Sequence, residues 1–187
     1  MGTKKYLDAD TLLADSFKLA KNIYEDGFFP TFIMAIWRGG APIGLAVQEY
    51  FSFKDVQTDH ILIRTISYSG IDTQHRDVKI FGLDYLVKNL SNEDRVLIVD
   101  DVYDTGRTIE SVIHAMSENL KLNMPEQIKV AVPYYKPTRN KTDRTPEYFI
   151  HETDEWLIYP HSIEGLTPDE IKQNKPEIYD ILKEHLK

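Results

Sequence analysis

The 187-residue sequence has no cysteine, and none of its apolar runs approaches the ~18 residues of a membrane span. Without cysteine the chain has no disulfide, no thiolate zinc site and no cysteine nucleophile, as is usual in a reducing cytoplasm. Positive charge is scarce, because 22 Lys and Arg stand against 30 Asp and Glu, a net charge of −8. These absences predict a cytoplasmic protein with neither nucleic acid nor membrane as a partner.

Short apolar runs alternate with amphipathic segments along the first three quarters of the chain. The runs with the length and composition of strands are TFIMAIW (31–37), HILIRTISY (60–68), a short one near 78–81, RVLIVDD (95–101) and IKVAVPYY (128–135). Helical spacing of apolar residues occurs at 10–26, 42–51, 84–90 and 106–121. This alternation predicts an α/β fold with a mostly parallel central sheet flanked by helices.

The last quarter of the sequence follows a different pattern. Residues 136–165 are rich in turn formers and aromatic residues. Thr167, followed by Pro168 and Glu170, then predicts a capped helix that Pro176 divides or kinks. We therefore expect a single domain over 1–187, with a small C-terminal segment at 136–165 and a helical extension at 167–187.

The segment VLIVDDVYDTGRT (96–108) carries the strongest functional signal. Asp100 and Asp101 follow a buried strand, at the sheet edge where α/β proteins bind ligands, and the pair suits sugar hydroxyls or hydrated Mg²⁺. The loop that leads into the next helix predicts a phosphate site of backbone amides and hydroxyls. It consists of Asp104, Thr105, Gly106, Arg107 and Thr108. The alternative is that Asp104 simply caps the helix and that the pair is a solvated strand end.

This segment resembles, without a mismatch over its thirteen residues, the phosphoribosyl-pyrophosphate (PRPP) signature of the type I phosphoribosyltransferases. The resemblance implies the fold of that family and Mg²⁺ as its cofactor. Asp100 and Asp101 would hold the ribose and, largely through water, the metal ion. Residues 104–108 would bind the 5′-phosphate, with Asp104 as the catalytic general base.

Two further segments match the family in position. Arg38, Gly39 and Gly40 follow the first buried strand, where the family places its pyrophosphate loop, often with a non-proline cis peptide beside the arginine. A plain glycine turn is the alternative there. Ser67 and Tyr68 begin a polar stretch that resembles the family's flexible lid, although an exposed loop would look the same. The further charged residues of this lid are His75, Arg76 and Lys79.

The segments VPYYKP (132–137) and TDEWLIYP (153–160) resemble the base-binding hood of the 6-oxopurine phosphoribosyltransferases, which places that hood at 136–165. By this resemblance Lys136 donates to the 6-oxo group, Trp156 stacks on the base, and backbone groups of Trp156 and Leu157 meet its edge. Without the resemblance, Lys136 is better explained as a solvated strand end, and Trp156 could equally be a core aromatic. The family's acidic residue after the tryptophan is missing at its usual spacing, which leaves the choice among hypoxanthine, guanine and xanthine open.

The sequence thus predicts a purine-salvage enzyme that transfers the phosphoribosyl group of PRPP to a 6-oxopurine, as a homodimer or homotetramer. One alternative is a regulatory protein that binds PRPP or a nucleotide with little catalysis. Another is a phosphoribosyltransferase for adenine or orotate, against which Lys136 and Trp156 argue.

Overall fold

The computed structural model describes residues 4–67 and 78–185. The described chain falls into two compact units. The larger unit is formed by Leu12–Asp154, and the smaller by the described parts of Met1–Thr11 and Glu155–Lys187. Among the helices of these residues, none has both the length and the apolar character needed to span a membrane.

The described residues contain nine strands, which are numbered along the chain. They are β1 (Lys4–Tyr6), β2 (Phe32–Trp37), β3 (Asp59–Ser67), β4 (Val78–Phe81), β5 (Arg95–Val99), β6 (Val102–Tyr103), β7 (Gln127–Tyr135), β8 (Tyr148–Glu152) and β9 (Trp156–Ile158). Seven of them form the sheet of the larger unit in the order β4-β3-β2-β5-β7-β6, with β8 paired to β7. The paired strands are parallel, apart from antiparallel β3 and β4. The mostly parallel sheet predicted from the sequence is confirmed.

Six α-helices occur in the same residues. They are α1 (Ala9–Glu25), α2 (Gly40–Phe53), α3 (Leu83–Asn89), α4 (Arg107–Leu120), α5 (Pro168–Asn174) and α6 (Pro176–Leu182). The first four alternate with strands and lie within two residues of the predicted bounds, so the α/β class is confirmed. α1 stops where Gly27 takes the left-handed φ of 76° and its N–H donates to the Tyr24 carbonyl at 3.0 Å.

The central strands of the sheet are buried on both faces, as their uninterrupted apolar sequence predicts. On one face of β2, Met34 belongs to the main apolar cluster, together with Ile98 of β5 and Val112 of α4. On the other face Ala35 packs so closely on α2 that a Cβ added to Gly44 would lie 2.5 Å from the alanine Cβ. Burial contributes about 1.5–3 kcal/mol for each large side chain in such a core, which fixes the strand ends that carry the site.

Four strands of the structure were not predicted: β1, β8, β9 and the two-residue β6, which pairs in parallel with β7. β8 lies in the turn-rich segment 136–165, where it pairs in parallel with β7 and places Tyr148 opposite Ala131. In the smaller unit β1 pairs in parallel with β9, with Lys4 opposite Trp156. Both pairings join segments whose own patterns are short and mixed, so local sequence does not reveal them.

The C-terminal helices follow the sequence signals closely. Glu170 donates its N–H to the Thr167 hydroxyl at 3.2 Å, and Thr167 donates its N–H to the Glu170 carboxylate at 2.9 Å. This is the capping box expected at the start of α5. α5 ends at Asn174 and α6 begins at Pro176, so the proline divides the helical extension as predicted.

A buried carboxylate joins α1 to β8 within the larger unit. Asp15, with 2% of its side chain exposed, accepts a hydrogen bond from Lys18 at 2.9 Å and lies 2.7 Å from His151 Nε2. Burial raises the pKa of Asp15, but the hydrogen bonds with His151 and Lys18 outweigh it, and the pKa falls below its ordinary value. Such a carboxyl stabilises the fold above its unfolded pKa of 3.8, and this contribution is lost as the pH falls through the folded pKa.

We therefore expect Asp15→Asn to lower the free energy of unfolding at neutral pH by about 1–3 kcal/mol, because the salt bridge with Lys18 and the hydrogen bond between the carboxylate and His151 are lost. Between about pH 5 and pH 3 the variant should lose less stability than the parent. Urea denaturation at a series of pH values measures both effects. Asp10→Asn, on the exposed face of the same helix, is the matched control. A pH dependence unchanged by Asp15→Asn would contradict this role.

Candidate functional site

The acidic pair and the glycine turn leave the sheet at the same edge. β2 and β5 are parallel neighbours, with Ala35 opposite Val99, so their carboxyl ends lie side by side. Asp100 continues the ladder by donating its N–H to the Ala131 carbonyl at 3.2 Å, and Asp101 donates its N–H to Asp100 Oδ1 at 2.9 Å. Both aspartates are half-buried, so the pair is not a fully solvated strand end.

The turn after β2 is pressed against this pair. The peptide bond between Trp37 and Arg38 is cis, as the family resemblance implied. A Cβ added to Gly39 would lie 2.0 Å from Asp101 Oδ2, and one added to Gly40 would lie 2.6 Å from a carbonyl of β5. Since neither position has room for a side chain, the two glycines allow the turn and the acidic pair to touch.

The pKa values of both aspartates are raised. Burial raises the pKa of Asp100 well above its ordinary value, and the negative charge of Asp101 adds to the effect. Burial also raises the pKa of Asp101 to about 6, although the Asp100 hydrogen bond and the positive charge of Lys136 oppose this rise. Two carboxylates this close repel each other when both are ionised, and a bound cation relieves that repulsion.

The pair has the donor chemistry of a magnesium site. Over residues 4–67 and 78–185, no group of three or more His, Cys, Asp or Glu is arranged to hold a metal ion. Mg²⁺ commonly binds through one or two carboxylates and takes water or substrate phosphates as its remaining ligands. The donor chemistry of Asp100 and Asp101 therefore fits a hydrated Mg²⁺.

The loop between β6 and α4 requires a glycine. Gly106 has a φ of 77°, and a Cβ there would lie 2.4 Å from Thr142 Oγ1 and 2.7 Å from the Tyr103 hydroxyl oxygen. α4 begins at Arg107 with Gly106 as its N-cap and without a side-chain cap. Asp104 is thus not the N-cap of this helix, and the uncapped first amides of α4 suit an anion.

The rest of this loop is supported by contacts with residues 140–144. Thr105 and Thr108, the two predicted hydroxyl donors, flank the start of α4 and are half-buried. The Tyr103 hydroxyl donates to the Arg144 carbonyl at 3.0 Å and lies 3.1 Å from Thr142 Oγ1. This support from the 140–144 segment was not predicted, because those residues are far from the loop in sequence.

Lys136 is buried, with 3% of its surface exposed, so it is not a solvated strand end. Its N–H donates to the Tyr103 carbonyl at 2.9 Å, and its Nζ lies 3.6 Å from Asp104 Oδ2. A buried ammonium group requires such a carboxylate partner. Arg139 Nε lies 2.7 Å from the other oxygen, Asp104 Oδ1. Arg139 was not predicted from the sequence, where its only signal is its position three residues after Lys136.

The other predicted base-binding residues belong to the smaller unit. Trp156 and Leu157 lie on β9, where Trp156 is 54% exposed and Leu157 is half-buried. A core position for Trp156 is therefore wrong. Its stacking on a base stays a prediction.

The lid lies almost entirely outside the described residues. Ser67 is the last residue of β3 and Lys79 the second residue of β4. Tyr68, His75 and Arg76 fall between residues 67 and 78, beyond the described part of the chain. The lid stays a prediction.

A parallel sheet whose carboxyl edge carries an acidic pair, a glycine turn and an uncapped helix start is the ligand-binding arrangement of open α/β proteins. Residues 2–164 match the family model of the phosphoribosyl transferase domain. The chain belongs to this family.

Known proteins of similar sequence and structure come from several organisms. The hypoxanthine-guanine phosphoribosyltransferase of the pig, Sus scrofa, is 22% identical over 79% of this chain and 67% of its own length. The structure of a purine phosphoribosyltransferase from Pyrococcus horikoshii covers 87% of this chain and 96% of its own, with 25% identity and a TM-score of 0.67. A hypothetical protein from Neisseria gonorrhoeae with bound ppGpp covers 95% and 98%, with 20% identity and a TM-score of 0.71. This chain spans about two thirds of the length of the curated relatives it matches.

Proposed function

We propose that this protein transfers the 5-phosphoribosyl group of PRPP to a 6-oxopurine base, hypoxanthine, guanine or xanthine, and releases pyrophosphate. The observation that carries the proposal is the contact between the glycine turn and the acidic pair, where Gly39 has no room for a Cβ beside Asp101. A pyrophosphate site and a ribose site must adjoin, because the bond that breaks joins these two parts of PRPP. Membership of the family supports the same chemistry.

Each part of the substrate has proposed partners. Arg38 and the amides of the glycine turn bind the pyrophosphate, and Asp100 and Asp101 bind the ribose hydroxyls. Residues 104–108 bind the 5′-phosphate through amides of α4 and the threonine hydroxyls. Mg²⁺, held largely through water by the acidic pair, supplies positive charge that stabilises the leaving pyrophosphate.

The transfer exchanges one bond at C1′ of the ribose. The bond between C1′ and the pyrophosphate oxygen breaks, and its electron pair leaves with the pyrophosphate. A lone pair of a base nitrogen forms the new bond to C1′. The proton of that nitrogen passes to the carboxylate of Asp104, the general base, and from there to solvent. The proposed lid, which begins at Ser67 and Tyr68, excludes water from the reacting sugar.

The 6-oxo group of the base selects the substrate. Lys136 donates to this oxygen, Trp156 stacks on the ring, and backbone groups at Trp156 and Leu157 meet its edge. The burial of Lys136 supports this role, because a cation kept from water discriminates strongly between a carbonyl oxygen and an amine. The names of the pig and Pyrococcus relatives, both purine phosphoribosyltransferases, agree with a purine acceptor.

We also propose a single phosphoribosyltransferase domain over residues 1–187, with a base-binding hood at 136–165 and a helical extension at 167–187. We further propose that the protein forms a homodimer or homotetramer and is located in the cytoplasm.

A second candidate function is regulatory binding of PRPP or a nucleotide with little catalysis. It is favoured by one observation, the bound ppGpp in the Neisseria protein, whose fold this chain shares. Calorimetric titration with ppGpp, without PRPP or a base, tests this candidate. Micromolar binding by a chain without transferase activity would favour it.

A panel of acceptors tests the proposed function. The chain is incubated with PRPP, Mg²⁺ and, separately, hypoxanthine, guanine, xanthine, adenine or orotate, and pyrophosphate release is followed. We expect release with at least one 6-oxopurine and about a hundredfold less with adenine or orotate, because the Lys136 donor faces the 6-position. Lys136→Met should erase most of that preference. Absence of release with every base would overturn the transferase, and a preference for adenine or orotate would overturn the choice of base.

A further inference from the structure

The carboxylate of Asp104 lies between two cations that both follow β7. Lys136 Nζ is 3.6 Å from Oδ2, and Arg139 Nε is 2.7 Å from Oδ1. Each cation thus faces a different oxygen of one planar group. Lys136 is nearly fully buried, whereas 44% of the Arg139 side chain is exposed. Lys136 therefore contacts the carboxylate from the protein interior, and Arg139 contacts it from a partly exposed position.

The segment that supplies both cations is tied to the loop that carries Asp104. Lys136 donates its N–H to the carbonyl of Tyr103, the residue directly before Asp104, at 2.9 Å. Arg139 donates its N–H to the Lys136 carbonyl at 3.1 Å, which closes the turn at Pro137–Arg139. Since the cations and the carboxylate are mounted on adjoining backbone, their spacing is set by the fold.

The contact at Oδ1 is electrostatic rather than a directed hydrogen bond. Asp104 Oδ1 is buried, and among the described residues it has no hydrogen-bond partner, although Arg139 Nε lies 2.7 Å away. Buried acceptors without a hydrogen bond are rare in folded proteins. Arg139 therefore holds Oδ1 by charge, while the accessible part of the Asp104 side chain, 30% of its surface, lies away from this oxygen.

We propose that Arg139 is a positioning residue of the transfer reaction, which holds Oδ1 so that the Asp104 carboxylate is oriented to receive the proton of the base. The inference rests on the proposed function. When Lys136 donates to the 6-oxo group of the base, Arg139 remains as the second positive charge beside Asp104. The role requires charge at this point rather than the forked shape of a guanidinium, because the contact uses a single nitrogen.

If Arg139 and Asp104 formed only an ordinary surface ion pair, the Arg139 variants would behave differently. Exposed pairs contribute about 0–1 kcal/mol to stability, and the loss of such a pair would not lower kcat selectively. A positioning role lowers turnover instead, since a misplaced catalytic group costs about a hundredfold per ångström. Measuring kcat and the KM for PRPP separately therefore distinguishes a positioning role from an ordinary ion pair.

The test compares three variants of the full chain, Arg139→Met, Arg139→Lys and Lys141→Met, with the parent. Steady-state rates with PRPP, Mg²⁺ and the best 6-oxopurine give kcat and KM. We expect Arg139→Met to lower kcat by about tenfold or more, with the KM for PRPP changed by less than about threefold. Arg139→Lys should recover most of the lost turnover. Lys141→Met removes an exposed cation nearby and should match the parent.

Three results would overturn the inference. They are unchanged turnover in Arg139→Met, equal losses in kcat and in PRPP binding, or an equal loss in Arg139→Met and Arg139→Lys. Urea denaturation of each variant separates these results from poor folding, and Arg139→Lys keeps the test valid if Arg139→Met does not fold. A parent chain inactive with all acceptors overturns the proposed function, and the role of Arg139 with it. An active parent with an unaffected Arg139→Met overturns the role of Arg139 alone.

Discussion

Asp104→Asn is expected to lower kcat by about a hundredfold or more while the KM for PRPP changes little, because general-base catalysis contributes about 10²–10⁴-fold. Asparagine has nearly the size of aspartate and keeps an acceptor oxygen near Lys136. It has no carboxylate to take a proton from the base. The backbone amides of α4, which are the proposed phosphate donors, are untouched by the change.

Rates measured over a range of PRPP concentrations, and PRPP binding measured by calorimetry in the absence of base, separate the two effects. Asp143→Asn removes an exposed carboxylate from the neighbouring segment and serves as the control. If Asp104→Asn weakens PRPP binding as much as it lowers turnover, Asp104 is a binding residue and the general-base assignment is wrong.

The fold was predictable where the information is local. β2, β5 and β7 are apolar runs of strand length, and their predicted bounds differ from the structure by at most two residues. The sharp stop of β2 at Arg38 and of β5 at Asp100 also placed the turn and the acidic pair correctly. Parallel neighbours end at one edge, so their meeting followed from the fold class.

The parts that failed depend on distant or weakly patterned segments. β1 is only Lys4–Tyr6, and its partner Trp156–Ile158 follows about 150 residues later in the chain. β8 has the sequence YFIHE, which is too short and mixed to stand out among the surrounding turn formers. Nothing local indicated either pairing, because register across such distances is decided by packing.

The candidate site, like the fold, was predictable only where the information is local. The glycines and aspartates could be selected by residue type and position, but the ion pairs of Asp104 could not. Arg139 reaches Asp104 only because the chain turns at Pro137–Arg139 directly after β7. The burial of Lys136 was likewise not indicated by its local sequence, since a lysine at a strand end is usually solvated.

Gly39→Ala is expected to weaken PRPP binding by about tenfold to a hundredfold and to lower the free energy of unfolding by about 1–3 kcal/mol. The backbone at Gly39 has a φ of −64° and a ψ of −36°, which alanine adopts freely, so the effect comes from space alone. The new Cβ would lie 2.0 Å from Asp101 Oδ2 and 2.2 Å from its Cγ. Asp101 must move, and with it one carboxylate of the proposed ribose site.

A double-mutant cycle shows whether Asp101 transmits this effect. In an Asp101→Ala background the carboxylate that the new Cβ meets is absent, so Gly39→Ala should cost far less stability than in the parent. Urea denaturation gives the four free energies, and calorimetry with PRPP and Mg²⁺ gives the loss of binding in the parent. Equal costs in the two backgrounds would mean that the added methyl acts elsewhere. Because Gly39→Ala acts on binding and Asp104→Asn on turnover, the pair separates the two halves of the site, the substrate cradle at β2 and β5 and the proton acceptor before α4.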